Sequence, residues 1–393
     1  MAERKVSRKA NRRRPSDRPG SVSTPLGLLL AERIQACGPI TFAEYMEACL
    51  YHQIHGYYTR QSQSQPRDFF TNADEGPVFA RILARQLQQM WALLDRPASF
   101  CLVEAGAGSG WLARQILDFA AAAYPEFYES LRYIAVERSA VRRGLAEMTL
   151  AKHARNGRFL SLDHLPQIIS CGCIFSNEFF DALPVHRVVR SKGELRELYV
   201  DLHAKGFRDS PGPLSSAALA EYFEEQEIAL QEGQQAEVCL AACEWVARAA
   251  AAISHGFVLT IDYAYEAKEL YGERHRRGTL LAYQGHHASE DYFRAPGEQD
   301  LTAHVNFTAL ACHGRRGGLI PAGKTSQANF LLALARHSDF ADVEPKGASE
   351  AQKIQARHQF KLLIHPEGMG EAFQVLLQHK GIPAPRLAGF EPL

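Results

Sequence analysis

EAGAGSG, residues 104–110, lies between a short apolar run, Ser99–Val103, and an Ala-rich segment of helical periodicity, Trp111–Ala123. A strand that turns on glycines into a helix leaves backbone N–H groups free at the helix N-terminus, where a ligand can meet them. The glycine register narrows the choice. A dinucleotide fingerprint, G-x-G-x-x-G, requires glycine at 111, and this chain has Trp111 there. Gly106, Gly108 and Gly110 form G-x-G-x-G instead, behind an acid, Glu104.

The surrounding pattern alternates. Leu131–Val136 reads as a second strand ending at Glu137, and Ala140–His153 as a helix. Arg158–Leu162, Cys171–Ser176 and Gly256–Ile261 are further strands. Strands separated by helices imply right-handed crossovers and a doubly wound parallel α/β sheet, a Rossmann-like fold. Upstream, Pro25–Ala36 and Thr41–Tyr51 read as helices, the second opened by a Thr41/Glu44 capping box, and Val78–Leu94 as a third. Val185–Val189 and Leu195–Leu202 suggest a hairpin turning near Ser191-Lys192-Gly193. Ala217–Gln231, Ala236–Ile253, Asn306–Cys312, Gln327–Ala335, Ala348–Leu362 and Met369–Gln378 read as helical, while 264–305 is loop-rich. The expected organisation is a disordered basic tail (1–20), an N-terminal helical cap (21–97) and an α/β domain (98–393). Insertions fall near 185–235, a hairpin, and 264–305, a lid.

Ligands of open α/β sheets sit beyond the carboxyl ends of the strands. An acid after the second strand, Glu137, is placed to accept hydrogen bonds from both hydroxyls of a ribose. With G-x-G-x-G, this is the pattern of S-adenosylmethionine-dependent methyltransferases. Glu104 is then a candidate for the cationic end of the methionine moiety. Asp163, in the loop after the third strand, is a candidate for the adenine amino group or a turn cap. The fourth strand runs into SNEFFDALP (176–184), which sets Glu178 and Asp181 on either side of two phenylalanines. A carboxylate pair suits a guanidinium, whose planar fork of donors matches carboxylates bidentately. Asp181 also reads as a turn or helix cap. Asp68, in Asp68-Phe69-Phe70-Thr71, is a candidate to close over the cofactor from the cap. His286, His287 and His304, with Glu290 or Asp300, lack the i,i+4 spacing of a helical metal site, and no metal is expected.

Bulk properties bound the function classes. Lys+Arg and Asp+Glu both total 44, so no global charge argues for nucleic acid or a membrane surface. Residues 4–18 are the exception, with eight Lys/Arg against Asp17, and read as a solvated tail. That tail has neither the apolar stretch of a secretory signal nor the amphipathic pattern of a transit peptide. No segment approaches the ~20 apolar residues of a membrane span. The eight cysteines sit mostly in apolar surroundings, as buried thiols of a reducing cytoplasm do.

Longer stretches resemble the MidA family of S-adenosylmethionine-dependent methyltransferases. The resemblance rests on GPITFAEYMEACLYHQIHGYY (38–58), DFFTNADEGPVFARILARQL (68–87), VEAGAGSG (103–110), VERS (136–139) and SNEFFDALPVHRVV (176–189). It continues through IDYAYE (261–266), GEQDLTAHVNF (297–307), QANFLLALA (327–335) and EGMGEAF (367–373). It implies a class I methyltransferase fold with added N-terminal and inserted segments. By resemblance, Gly106, Gly108, Gly110 and Glu137 serve S-adenosyl-L-methionine, and Asn177, Glu178 and Asp181 line the transfer site. Mitochondrial members dimethylate an arginine of a respiratory complex I subunit, which implies a protein substrate and an arginine N-methyltransferase. The family's Asp-Phe-x-Thr-Ser-Pro-Glu is DFFTNAD in this chain, and its Gly-Pro-Gly-x-Gly is GAGSG. Expected locations are the cytoplasm for a bacterial chain and the mitochondrial matrix for a eukaryotic one. A small-molecule N- or O-methyltransferase, and a non-catalytic assembly chaperone that binds the cofactor, are the alternatives.

Overall fold

The computed structural model describes residues 22–60, 76–204, 206–285, 287–344 and 347–392. The basic tail and Asp68 lie outside the described residues. Seven strands build the central sheet: β1 Phe100–Ala105, β2 Leu131–Val136, β3 Phe159–Leu162, β4 Gly172–Asn177, β5 Gly256–Tyr265, β6 Ile320–Ser326 and β7 Phe373–Lys380. Their order is 3-2-1-4-5-7-6. Strands β1 to β5 pair in parallel, and β7 runs antiparallel to both β5 and β6. An eighth, two-residue strand, Val305–Asn306, lies along the end of β5. The chain reverses its winding between β1 and β4, so the loops after these two strands share the crevice where such sheets bind ligands.

Strand alternation divides the core. Phe100, Leu102, Leu259 and Ile261 point to one face, under helices Pro77–Leu93, Trp111–Ala123 and Gln327–His337. Val103, Ala105 and Val258 point to the other, under Leu240–Ala252 and Phe307–Arg316. Two smaller sheets carry the insertions. One pairs the expected hairpin, His186–Ser191 with Glu194–His203, and adds Gly206–Gly212, Gln235–Val238 and Ile40–Thr41. The other joins Leu281–Gln284 to His287–Ser289 and Asp300–Thr302. Helices Pro25–Cys37 and Phe42–Tyr51 pack on both sheets through Phe42, Tyr45, Val200, Phe207 and Leu301. Burying such side chains contributes roughly 1.5–3 kcal/mol each.

The structure corrects the sequence reading in several places. The sheet is mixed, because β7 runs antiparallel to its neighbours β5 and β6. Met369–Gln378 is not one helix: only Met369–Ala372 is helical, and Phe373–Lys380 is the buried strand β7. A short apolar run has no period that separates a buried strand from a helix. Gln235–Val238 is likewise a strand ahead of the helix Leu240–Ala252, and the helix expected over 217–231 spans Ala218–Glu224.

Candidate functional site

Beyond β1 the chain makes three left-handed glycine steps, with φ of 73° at Gly106, 55° at Gly108 and 75° at Gly110. A Cβ on Gly106 would lie 2.8 Å from the Phe179 ring, and one on Gly110 would lie 2.8 Å from Leu150 and 3.0 Å from Ala146. At Gly108 the space is open, the nearest atom being the Arg142 guanidinium at 4.0 Å. So the outer two glycines let the loop pack, and the middle one leaves its surface bare. The Glu137 carboxylate spans this loop and the next: it accepts from Gly108 N–H at 3.0 Å and Ser139 N–H at 2.8 Å. Ser139 caps the helix Ala140–Thr149, which carries Arg142 back over the loop. The bare loop, the helix N-terminus at Trp111 and a fixed carboxylate beside them fit a ribose with an anionic or polar tail.

Glu104 and Asp163 occupy different settings. Glu104 is buried within the sheet and accepts from Tyr133 Oη at 2.7 Å. Burial pushes it up to about 8, against the Tyr133 hydrogen bond, with the charge of Glu137 adding to the rise. Asp163 is exposed beyond β3 and pairs with His164.

The acids of SNEFFDALP turn into the same crevice. Glu178 has φ of 52°, a conformation rare outside glycine, and its N–H donates to the Ile261 carbonyl at 3.0 Å. Its carboxylate accepts from Asn177 Nδ2 at 2.8 Å. The two phenylalanines explain the turn. Their rings pack edge-on against Trp245, each 5.2 Å away. Their backbone N–H groups donate to Asp262 Oδ2 at 3.1 and 2.9 Å, and Tyr263 N–H donates to Oδ1 at 2.9 Å. Asp262, fully buried at the end of β5, is thus the anchor of the loop that presents Glu178 and Asp181.

Two partners come from far along the chain. Asp300, fully buried, receives the Tyr58 hydroxyl at 2.9 and 2.7 Å, and Tyr58 lies under the Arg142 guanidinium at 4.5 Å. Ala303 N–H donates to the Asp181 carbonyl at 3.1 Å. Burial raises Asp181; at Asp262 burial dominates too, and the charges of Asp181 and Glu178 add to it. Burial pushes Asp300 up to about 8, with Asp181 contributing, although Tyr58 and Arg142 oppose it. The result is a nest of carboxylates, Glu178, Asp181, Asp262 and Asp300, edged by Tyr58, Tyr263 and Tyr283, a setting that attracts a cation. His304 stacks on Tyr263 at 6.0 Å, and burial, then His275 and Arg274, hold it down to about 4. The sequence reading missed Asp300 as a partner of Asp181, and missed Tyr58 and Arg142. For Tyr58 and Asp300 the only signal was position within the stretches 38–58 and 297–307, and Arg142 had none. Among the described residues no His/Cys/Asp/Glu group could hold a metal ion, and no helix is long and apolar enough to cross a membrane.

Comparison with known proteins places this geometry. Over 93% of this chain and 94% of theirs, two crystal structures from Burkholderia thailandensis superpose with TM-scores of 0.82 and 0.81, at 32% and 33% identity. The first was solved bound to S-adenosyl-homocysteine. Curated relatives named "Protein arginine methyltransferase NDUFAF7, mitochondrial" match at 27% identity in Danio rerio, over 88% of this chain and 84% of that protein. The mouse relative matches at 26%, over 94% and 91%. Residues 82–325 match the family model described as "Putative S-adenosyl-L-methionine-dependent methyltransferase". The chain belongs to that family and is a methyltransferase whose cofactor is S-adenosyl-L-methionine.

Proposed function

We propose that the chain is a protein-arginine N-methyltransferase. The observation that carries this reading is the carboxylate nest, whose members Asp181, Asp262 and Asp300 are held above the ordinary carboxylate range by burial. A planar cation with several N–H donors satisfies such a site bidentately. The names of the curated relatives support the same acceptor. Their designation as mitochondrial supports a matrix location if the chain is eukaryotic.

In this reading Gly106, Gly108 and Gly110 hold the cofactor's backbone-facing side, Glu137 takes the ribose hydroxyls and Glu104 lies beneath the methionyl end. Asp163 takes the adenine edge, a role its exposed position leaves to cofactor contact alone. When bound, the cofactor supplies an activated methyl group on a sulfonium. Glu178 and Asp181 then do what this chain must do itself: they hold the guanidinium in plane and aim one nitrogen along the transfer axis. Asn177 fixes the Glu178 carboxylate. Transfer leaves a surplus proton on the guanidinium nitrogen, and a carboxylate of raised affinity for protons is suited to receive it. Asp68 is proposed to close the site from the cap.

Incubating the protein with methyl-labelled cofactor and a cell lysate, then hydrolysing the labelled protein band, tests the reading. Label recovered in methylarginine is the expected result. Label confined to small molecules, or no transfer despite tight cofactor binding, would overturn it.

A further inference from the structure

We infer that Arg142 is a positioning residue of the transfer reaction, which flanks the cofactor loop at Gly108 and, through the ring of Tyr58, braces Asp300 on the acceptor side. This rests on the transfer site proposed above and adds the residue that ties its two halves together.

The place of Arg142 in the sequence asks for such a role. It lies in the first turn of the helix Ala140–Thr149, behind the cap Ser139, in a turn that holds no acid. The positive end of a helix dipole favours acids and opposes a cation there. Neighbouring arginines have local reasons to be where they are. Arg138 pairs with Glu47, and Arg143 donates to the carbonyls of Glu137 and Arg138, at 2.8 Å each. Arg142 has no ion pair among the described residues. Its guanidinium lies on the Tyr58 ring instead, 4.5 Å from the ring centre.

Arg142 faces two ways. On one side is the open space over Gly108, where the guanidinium is 4.0 Å from the position of a Cβ. A cofactor resting on that bare loop meets N–H donors for its polar atoms. On the other side the Tyr58 hydroxyl donates to both oxygens of Asp300, at 2.9 and 2.7 Å. Arg138 repeats the arrangement one turn away. Its guanidinium is 4.9 Å from the centre of the Tyr51 ring, and Tyr51 Oη donates to the Ala182 carbonyl at 3.0 Å. The two tyrosine rings are 5.6 Å apart. Two arginine–tyrosine pairs thus run from the cofactor-side helix to the acceptor side, and the Arg142 pair ends on a carboxylate.

Electrostatics agrees with the geometry. Burial raises Asp300; Tyr58 and Arg142 oppose the rise, and Asp181 adds to it. Tyr51 and Tyr283 also feel the Asp300 charge. Arg142 supplies the positive charge in that set. Because it acts across a ring and does not pair with Asp300, it favours the ionised acid without occupying it. An ionised, unoccupied acid is what a cationic acceptor requires.

Two measurements that need no acceptor test this. Both residues are half-buried, so Arg142→Ala, Arg142→Lys and Tyr58→Phe should fold. The first measurement titrates S-adenosyl-homocysteine into each. Affinity should fall about tenfold in Arg142→Ala and stay within about threefold of native in the other two. The second follows the Asp300 carboxyl by carbon-13 NMR across pH, with Asp300→Asn identifying its signal. Asp300 should titrate at least about half a unit higher in Arg142→Ala and Tyr58→Phe than in native protein, and near native in Arg142→Lys. A merely structural arginine would leave that titration where it is. Native S-adenosyl-homocysteine affinity in Arg142→Ala, or an Asp300 titration unmoved by Arg142→Ala and Tyr58→Phe, would overturn the assignment. A shifted titration and weakened cofactor binding, with no methylarginine formed on lysate protein, would uphold Arg142 and remove the arginine acceptor, so the two failures are distinguishable.

Discussion

Asp262, one of the acids at the strand ends, serves the proposed transfer site mainly by holding the loop that presents Glu178 and Asp181. Three backbone N–H groups converge on its carboxylate, and two of them belong to Phe179 and Phe180. Asp262→Asn replaces one accepting oxygen with a donor, so at least one of the three N–H groups is left facing an N–H. The loop carrying Glu178 and Asp181 must then move. Methyl transfer should fall by about a hundredfold, while S-adenosyl-homocysteine affinity stays near native; steady-state kinetics beside a binding titration checks both. At this scale the sequence was partly legible. Gly106, Gly108 and Gly110 announced themselves because the steric demand that fixes them is local. The positive φ of Glu178 did not, because it is imposed by a hydrogen bond to Ile261, a strand away. Asp300 was hidden for the same reason, since it gains meaning only when Tyr58 and Asp181 reach it from distant parts of the chain.

Among the elements, the small sheets and the two N-terminal helices hold the lid side of the crevice. Arg187 is their common point. It is buried, pairs with Asp209, and lies over the rings of Phe42 and Tyr292 at 5.1 and 4.7 Å. Arg187→Ala leaves Asp209, among the described residues, with only the Tyr292 hydroxyl and empties the space between those rings, so thermal unfolding should show a loss of about 3 kcal/mol. The exposed pair Arg138–Glu47 links the cap to the cofactor side, and Arg138→Ala should cost no more than about 1 kcal/mol. Element identity was legible where periodicity was long. The helix Trp111–Ala123 and the hairpin around Gly193 stand where the pattern put them. Strand β7 was not, because its pairing partners β5 and β6, rather than its own residues, make it a strand.

For the molecule as a whole, buried carboxylates set the response to pH. Glu104 and Asp300 both rise to about 8 in the folded chain, against an unfolded value near 4. The folded state therefore holds more protons than the unfolded one, and stability falls as pH rises toward about 8. His304 acts in the opposite sense, but its contribution is complete by about pH 6.5. Melting temperature in the absence of ligand should accordingly drop between about pH 6.5 and 8. A cationic ligand favours the ionised acids, so acceptor binding should release protons in that window and kcat/KM should climb with pH across it. Calorimetry in buffers of different ionisation enthalpy measures the release.

The most direct measurement compares native protein and Glu178→Gln in the same two assays. One follows methyl transfer from labelled S-adenosyl-L-methionine to arginine in protein, and the other titrates S-adenosyl-homocysteine. The expected result is loss of transfer by about a thousandfold or more in the variant, with cofactor affinity within about twofold of native. Transfer at the native rate by Glu178→Gln would contradict the role given to the carboxylate nest.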